Sequence, residues 1–453
     1  MPFELTKKYI TDLKEVISNK DEESAAVLME ELHPADIAEI YDELSMEEAK
    51  FLYLLLDGER AADVLVELEE DDRERFLKAL PSEVIAKQFI HNMDSDDAAD
   101  VIGEMSVQDQ EEVLSHITDV DHAGDIVDLL TYDEDTAGGL MAKELISTNV
   151  DWTIERCIKE IRKQVEEVDE VYYTYVVDDD GLLKGTLSLK LLLIKPNNTR
   201  IEKIYNSDVI SVKTDTKSEE VANIMDKYDL IALPVIDSIG RLLGRITIDD
   251  VVDVIREEAE KDYQMASGIS EDIEPTDKVI VLSRARLPWL LIGLVGGIMG
   301  ALIISGFESD LAKYAEIVLF LPLIAAMAGN VGVQSSAIIV QGLANQSIGR
   351  SSTGSKLMKE FMVALVNGLI LSILLFGFSI IYTDSKELTL TVSISLLVVI
   401  IIASFFGTLI PLLLNKLKID PALATGPFIT TLNDIIGLLI YLGTAKFIFD
   451  IIN

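Results

Sequence analysis

Five apolar segments crowd the last third of the chain, near 287–306, 316–340, 357–382, 388–415 and 422–449. Each reaches the roughly 20 residues that a helix needs to cross a bilayer. In hydrocarbon every backbone N–H and C=O must be satisfied internally, so such segments fold as helices packed on one another. A five-helix transmembrane domain over 284–453 is therefore the strongest constraint on the fold. Pro288 and Trp289 open the first segment, and Gly293, Gly296, Gly297 and Gly300 follow at spacings that let helices approach closely.

Basic residues set the orientation. Arg284 and Arg286 precede the first span, Arg350, Lys356 and Lys359 lie between the second and third, and Lys416 and Lys418 between the fourth and fifth. The opposite loops are acidic or mixed, with Glu308, Asp310, Lys313 and Glu316, then Asp384, Lys386 and Glu387. The expected location is the cell's inner membrane, multi-pass, with a cytoplasmic N-terminus and a C-terminus outside. No apolar leader stands at the start, so no cleaved signal is expected. The single cysteine, Cys157, fits a reducing compartment for the part before the spans.

Charge divides the chain at the same place. Residues 1–283 hold 28 Lys and Arg against 69 Asp and Glu, a balance of −41; residues 284–453 hold 10 against 9, a balance of +1. A surface so anionic disfavours nucleic acid and anionic lipid and attracts cations.

Within the apolar part, Asp434 sits mid-segment after Asn433, with no basic residue within ten positions on either side. A carboxylate at the bilayer centre costs on the order of 3 kcal/mol, so it points to an ion or a proton. The bland reading is an interhelical hydrogen bond. The second span carries Pro322, Gly329, Asn330, Gly332, Gln334, Ser335 and Ser336, a composition expected to break the helix and line a polar cavity. Candidate pore ligands are Asp434, Asn433, Asn330 and Gln334. Oxygen donors without His or Cys suit a hard cation, and Mg²⁺, which keeps most of its water, needs few protein carboxylates. One Asp per chain, doubled by a two-fold axis, would suit it.

Residues 1–135 read as an all-α superhelical array. A motif recurs at Pro34–Leu44, Ala61–Leu68, Ala98–Met105 and Ala123–Leu130, placing Asp36, Asp63, Asp100 and Asp125 at spacings of 27, 37 and 25. Helix hairpins stacking apolar faces explain it. Asp36 and Asp125 are expected as capping or first-turn charges, and Asp94, Ser95 and Ser106 as N-caps. Residues 136–255 form an α/β module in two copies. Each has a strand, a turn with Gly181 or Gly240, a second glycine at Gly185 or Gly244, a second strand and a helix. The patterns V-V-D-D-D-G-L-L-K-G-T-L-S and L-P-V-I-D-S-I-G-R-L-L-G-R-I-T resemble tandem CBS domains. CBS pairs often take adenine nucleotides through an Asp opening the final helix; the second copy has Asp249 and Asp250 there, the first Lys190 and Leu191. ATP is thus an open candidate ligand. A linker helix over 249–268, of about 18 residues and ~27 Å, carries more acids than Arg256 and Lys261 can pair, and ends at Ser267 and Gly268.

The order of acidic repeats, paired CBS domains, acidic linker, G-N-V-G-V-Q and P-F-I-T-T-L-N-D-I-I-G resembles the MgtE family of magnesium channels over essentially the whole chain. The resemblance implies a homodimer with its pore on the two-fold and Asp434 as the pore carboxylate. The linker is then a plug helix closing the cytosolic mouth when intracellular Mg²⁺ is high. By motif position it implies sensing acids at Asp63, Asp96, Asp100, Asp229, Asp250, Glu258 and Asp262. Two positions depart from the pattern: Lys261 where the family can carry another acid, and Gly426 before Pro427 where a polar residue can occur. The rival readings are a carrier of Co²⁺ or Mn²⁺, a Na⁺-coupled carrier, and a CBS-regulated membrane sensor without transport. No catalytic constellation, nucleoside-triphosphate loop or zinc motif is present, so an enzyme is not expected.

Overall fold

The computed structural model describes residues 5–165, 168, 171–270, 273, 277–313, 315–344, 353–424 and 426–452. Arg350, used above for orientation, lies outside them. The chain divides into two compact units, Met1–Arg256 and Glu257–Asn453.

The first unit opens with short helices whose apolar faces stack into one core. Two that matter below are α1 (Gly58–Val66) and α2 (Ser95–Gly103). Tyr53, Phe76 and Phe89 sit at the centre, fully buried, with ring centroids 5.2 and 5.9 Å apart along the series in edge-on geometry. Polar ties join successive repeats. Arg60 Nη2 donates to the carbonyls of Met29 (2.8 Å) and Leu32 (2.9 Å), closing an otherwise open helix end. Arg73 forms a forked pair with Glu104. Asp36 caps as expected, its Oδ2 accepting the His33 N–H at 3.4 Å. Asp125 does not: it lies in the second turn of Val120–Leu129 and is partly buried there. Ser106 accepts the Asp109 N–H at 3.3 Å, whereas Ser95 is the first helical residue rather than the cap.

The rest of this unit holds two three-stranded sheets. One is β1 (Ile146–Asn149), β2 (Thr174–Val177) and β3 (Leu183–Leu187); the other is β4 (Val212–Lys213), β5 (Ala232–Ile236) and β6 (Leu242–Thr247). In each sheet the last two strands form the hairpin read from the sequence, and the first strand pairs parallel to the middle one. The parallel strands β1 and β4, four and two residues long, stand before the first helix of each copy and outside the hairpin signature, so the sequence reading missed them. Gly181 and Gly240 turn at φ +78° and +94°, where a side chain would be strained. Asp178 and Asp237 brace those turns by accepting N–H bonds from Leu182 and Arg241.

The linker helix α3 runs Ile248–Ala266 and ends at Gly268 with φ +81°, the left-handed stop expected there.

The second unit contains α4 (Val279–Gly306), α5 (Leu321–Ala344), α6 (Thr353–Tyr382), α7 (Lys386–Lys416) and α8 (Pro427–Ile452). Four helical stretches among the described residues, Val279–Gly306, Ala315–Leu343, Gly354–Tyr382 and Lys386–Lys416, are long and apolar enough to cross a membrane. At 26 residues α8 is about 39 Å long, also of spanning length, and its apolar run, though not its backbone, is interrupted by Asn433 and Asp434. Arg284 and Arg286 lie within α4, which starts earlier than the apolar run implies. α5 packs on α7 and α8, α6 on α7, and α4 on α8. Gly296 and Gly300 do face α8, beside Thr431 and Leu438, but Gly293 and Gly297 face open space.

One expectation fails. The second span is not broken at its polar centre: α5 is continuous through Gly329–Gln334. The irregular backbone comes earlier, as a 3₁₀ segment Ala315–Phe320, and Pro322 falls in the first turn of α5, just past the change of helix type. The glycines serve close helix packing instead.

Candidate functional site

In the second unit α8 begins at Pro427, preset for the first helical turn, behind Gly426 at φ +57°. Two turns on, Asn433 and Asp434 meet α5 where it is bare backbone. A Cβ on Gly329 would lie 3.0 Å from Asp434 Oδ1, and one on Gly332 would collide with the Asn433 amide. Asn433 is 1% exposed, yet neither its Oδ1 nor its Nδ2 has a hydrogen-bond partner; Asp434 Oδ1 is likewise unpartnered. That disfavours the interhelical hydrogen bond as their purpose, since an unmet buried polar group costs about 1–3 kcal/mol. Asn330 and Gln334 lie one turn apart on the exposed flank of α5 and do not share the face that Gly329 and Gly332 turn to α8.

The first unit gathers carboxylates around α2. Oxygens of Asp94, Asp96 and Glu144 all lie within 4.8 Å of one another, a grouping that could hold a metal ion. Ser95 positions Glu144: its hydroxyl donates to Glu144 Oε2 at 2.8 Å and accepts the Lys143 N–H at 2.9 Å. Asp250 joins from the first turn of α3, accepting the Thr247 N–H (3.2 Å) and hydroxyl (2.8 Å) in a capping arrangement.

Burial, then the charges of Asp97, Asp250, Asp94 and Glu144, push the Asp96 carboxyl well above the ordinary range. Burial and then Asp250 and Asp100 raise Asp97 to about 7. Burial and then Asp249 raise Asp250 to about 6, against the Thr247 hydrogen bonds that lower it. Asp100 is pushed upward by the protein around it and then by Glu134, but it stands exposed, so solvent screens much of that crowding. Crowded buried acids whose carboxyls are pushed upward by burial and by one another are oxygen ligands short of positive charge, the donor set of a hard divalent ion.

Of the sensing acids named from sequence, Asp96, Asp100 and Asp250 come together. Asp63 is exposed on α1 and Asp229 is an exposed left-handed helix cap at φ +51°; neither is a chief contributor to the cluster. On the later half of α3, Glu258 pairs with Lys261 at 3.0 Å. Asp262 is raised by burial and then by Asp420. Asp97, Glu144 and Asp420 were not singled out from sequence, and Asp94 was read only as an N-cap. The run D-S-D-D at 94–97 was a signal for Asp94 and Asp97, whereas Glu144 and Asp420 lie in connectors without one.

Family models agree with this layout. A divalent cation transporter model, MgtE, matches residues 321–444; the MgtE intracellular N domain matches 32–135; a CBS domain matches 201–257. The magnesium transporter MgtE of Thermus thermophilus is 34% identical over 98% of this chain and 100% of its own length. That of Bacillus subtilis is 33% identical over 92% of each. Among solved structures, the cytosolic domain of the Mg²⁺ channel MgtE in complex with ATP is 34% identical, covers 54% of this chain and 99% of its own, and superposes with a TM-score of 0.51. With acidic helical repeats, a CBS pair, apolar helices and end-to-end identity to named magnesium transporters, the chain belongs to the MgtE family of magnesium transporters, which are not enzymes.

Proposed function

We propose that this chain conducts Mg²⁺ inward down its electrochemical gradient, with Asp434 as the ion-binding carboxylate, and that cytosolic Mg²⁺ closes it. The unpartnered pair Asn433 and Asp434, set against glycine backbone inside the membrane unit, carries the reading. Inward flow needs no ATP hydrolysis, because a divalent ion gains about 4.6 kcal/mol across 100 mV. The exposed flank of α5 with Asn330 and Gln334 then faces a second copy across a homodimer axis, so that two chains surround one hydrated ion.

Closure is assigned to the crowded acids. Without Mg²⁺ they repel; with Mg²⁺ bound among Asp94, Asp96, Glu144 and their neighbours Asp97, Asp100 and Asp250, the start of α3 is held. The same helix carries Glu258 and Asp262, so binding at its start bears on its end. Asp63 and Asp229 serve as outlying ligands. Only preferential binding to the closed arrangement can shift the gate. ATP on the CBS pair is a second regulatory input, supported by the ATP complex of the relative's cytosolic domain. The orientation follows the basic loops, with the acidic unit in the cytosol.

The test is current through the reconstituted full chain. Mg²⁺ current that falls as cytosolic Mg²⁺ rises, and vanishes in Asp434→Ala, is expected. Ordinary Mg²⁺ current in Asp434→Ala would defeat the pore assignment. Replacing Mg²⁺ by Co²⁺, Mn²⁺ or a Na⁺ gradient separates the rival carriers.

A further inference from the structure

A second carboxylate lies within the spans, on α6. Glu360 Oε1 accepts the Ser335 hydroxyl of α5 at 2.6 Å and the Ser404 hydroxyl of α7 at 2.9 Å; the two hydroxyls are 3.1 Å apart. Ser335 is 3% and Ser404 1% exposed, so one carboxylate oxygen joins three helices in a site that water scarcely reaches. Hydrogen bonds to a charged acceptor are the stronger ones, and interhelical polar contacts in membranes favour a defined crossing.

This clamp lies beside a close backbone approach between α5 and α7. One turn from Ser404, a Cβ on Gly407 would come 2.5 Å from the Gly332 carbonyl oxygen and 3.0 Å from Ser335 Cβ. Gly332 is the residue whose other side abuts Asn433, and Gly329, a turn earlier, faces Asp434 Oδ1. A contiguous series of contacts therefore runs from Glu360 through Ser335, Ser404 and Gly407 to Gly332, Asn433 and Asp434. α5 is held on one side by the hydroxyl clamp and presses on the other against the two polar residues of α8.

We propose that Glu360 is a positioning residue for ion binding at Asp434: through Ser335 and Ser404 it fixes how closely α5 approaches α8. Glu360 does not itself touch the ion. The inference rests on the assignment of Asp434 as the ion-binding carboxylate and adds a residue to it.

The experiment is Mg²⁺ uptake by the full chain in proteoliposomes, measured over a range of Mg²⁺ concentrations. Glu360→Ala and the double variant Ser335→Ala/Ser404→Ala should each raise the half-saturating Mg²⁺ by about fivefold, with maximal flux nearly kept. The triple variant should be no worse than either, because all three side chains form one clamp. Glu360→Gln keeps an oxygen that accepts both hydroxyls and should restore half-saturation close to that of the unaltered chain. Unchanged half-saturation in Glu360→Ala, or Glu360→Gln as impaired as Glu360→Ala, would overturn the proposal. If Glu360→Ala fails to fold, the serine double variant decides: a shifted half-saturation supports the clamp and an unshifted one refutes it. Asp434→Ala in the same assay reports separately on the pore assignment, since full flux there refutes that assignment whatever Glu360 does.

Discussion

Gly332 and Asn433 meet where a methyl group has no room, so the missing side chain at Gly332 is what lets α5 pack this closely on α8. Gly332→Ala must push the Asn433 amide aside in a buried site. Overpacking of that kind costs about 1–3 kcal/mol, and here the displacement falls next to Asp434. Mg²⁺ flux through Gly332→Ala should drop by about tenfold or more, with a lower thermal unfolding midpoint. Gly297→Ala, which faces open space on α4, should alter neither. Equal effects of the two substitutions would remove the contact from the argument. Asp434 was legible in the sequence because an isolated carboxylate in an apolar run is too costly to be incidental. Glu360 carries no such mark in the sequence, because it stands at the start of its apolar segment with Lys356 and Lys359 just before it. Glycines carry no such label: Gly329 and Gly332 read equally as a broken helix or as a close approach, and only coordinates distinguish the two.

The helices α2 and α3 bring together acids that lie about 150 residues apart in sequence, Asp96 and Asp250. Glu144 reaches the same place from the segment before β1, held by Ser95. Nothing periodic marks a residue in a connector, so its membership of the cluster depended on the fold. For Glu144→Gln, two opposing effects decide the outcome. Loss of one charge relieves repulsion between singly charged carboxylates, but it also removes a ligand from a doubly charged ion, whose charge product is twice as large at shorter range. The second effect wins. The Mg²⁺ concentration that protects the linker α3 from protease should rise severalfold in Glu144→Gln, while Asp36→Asn, at a mere helix cap, should leave it unchanged. Protection of the Gln variant at the same Mg²⁺ as the unaltered chain would exclude Glu144 as a ligand.

For the whole molecule, the contrast between −41 in residues 1–283 and +1 beyond them makes pH and Mg²⁺ compete for the same oxygens. Asp97 is raised to about 7 and Asp250 to about 6, and Asp96 is raised in the same direction, all mainly by burial and then by like charge. A carboxyl whose folded value lies above its unfolded value binds more protons when folded. Its contribution to stability is therefore complete below the unfolded value near pH 4 and is lost as pH rises through about 6 to 7. Without a divalent ion, the acidic unit of the full chain should melt at progressively lower temperature between pH 5 and pH 8. Mg²⁺ needs those carboxylates deprotonated, so it binds more tightly as pH rises and replaces the protons as the neutralising charge. The separation between melting temperatures in Mg²⁺ and in chelator should widen from pH 5 to pH 8. Thermal unfolding of the detergent-solubilised chain at both extremes measures it directly. A separation that stays constant or narrows with pH would mean that the ion stabilises the protein at sites other than the raised carboxylates, and the sensing role would then have to leave the cluster around α2.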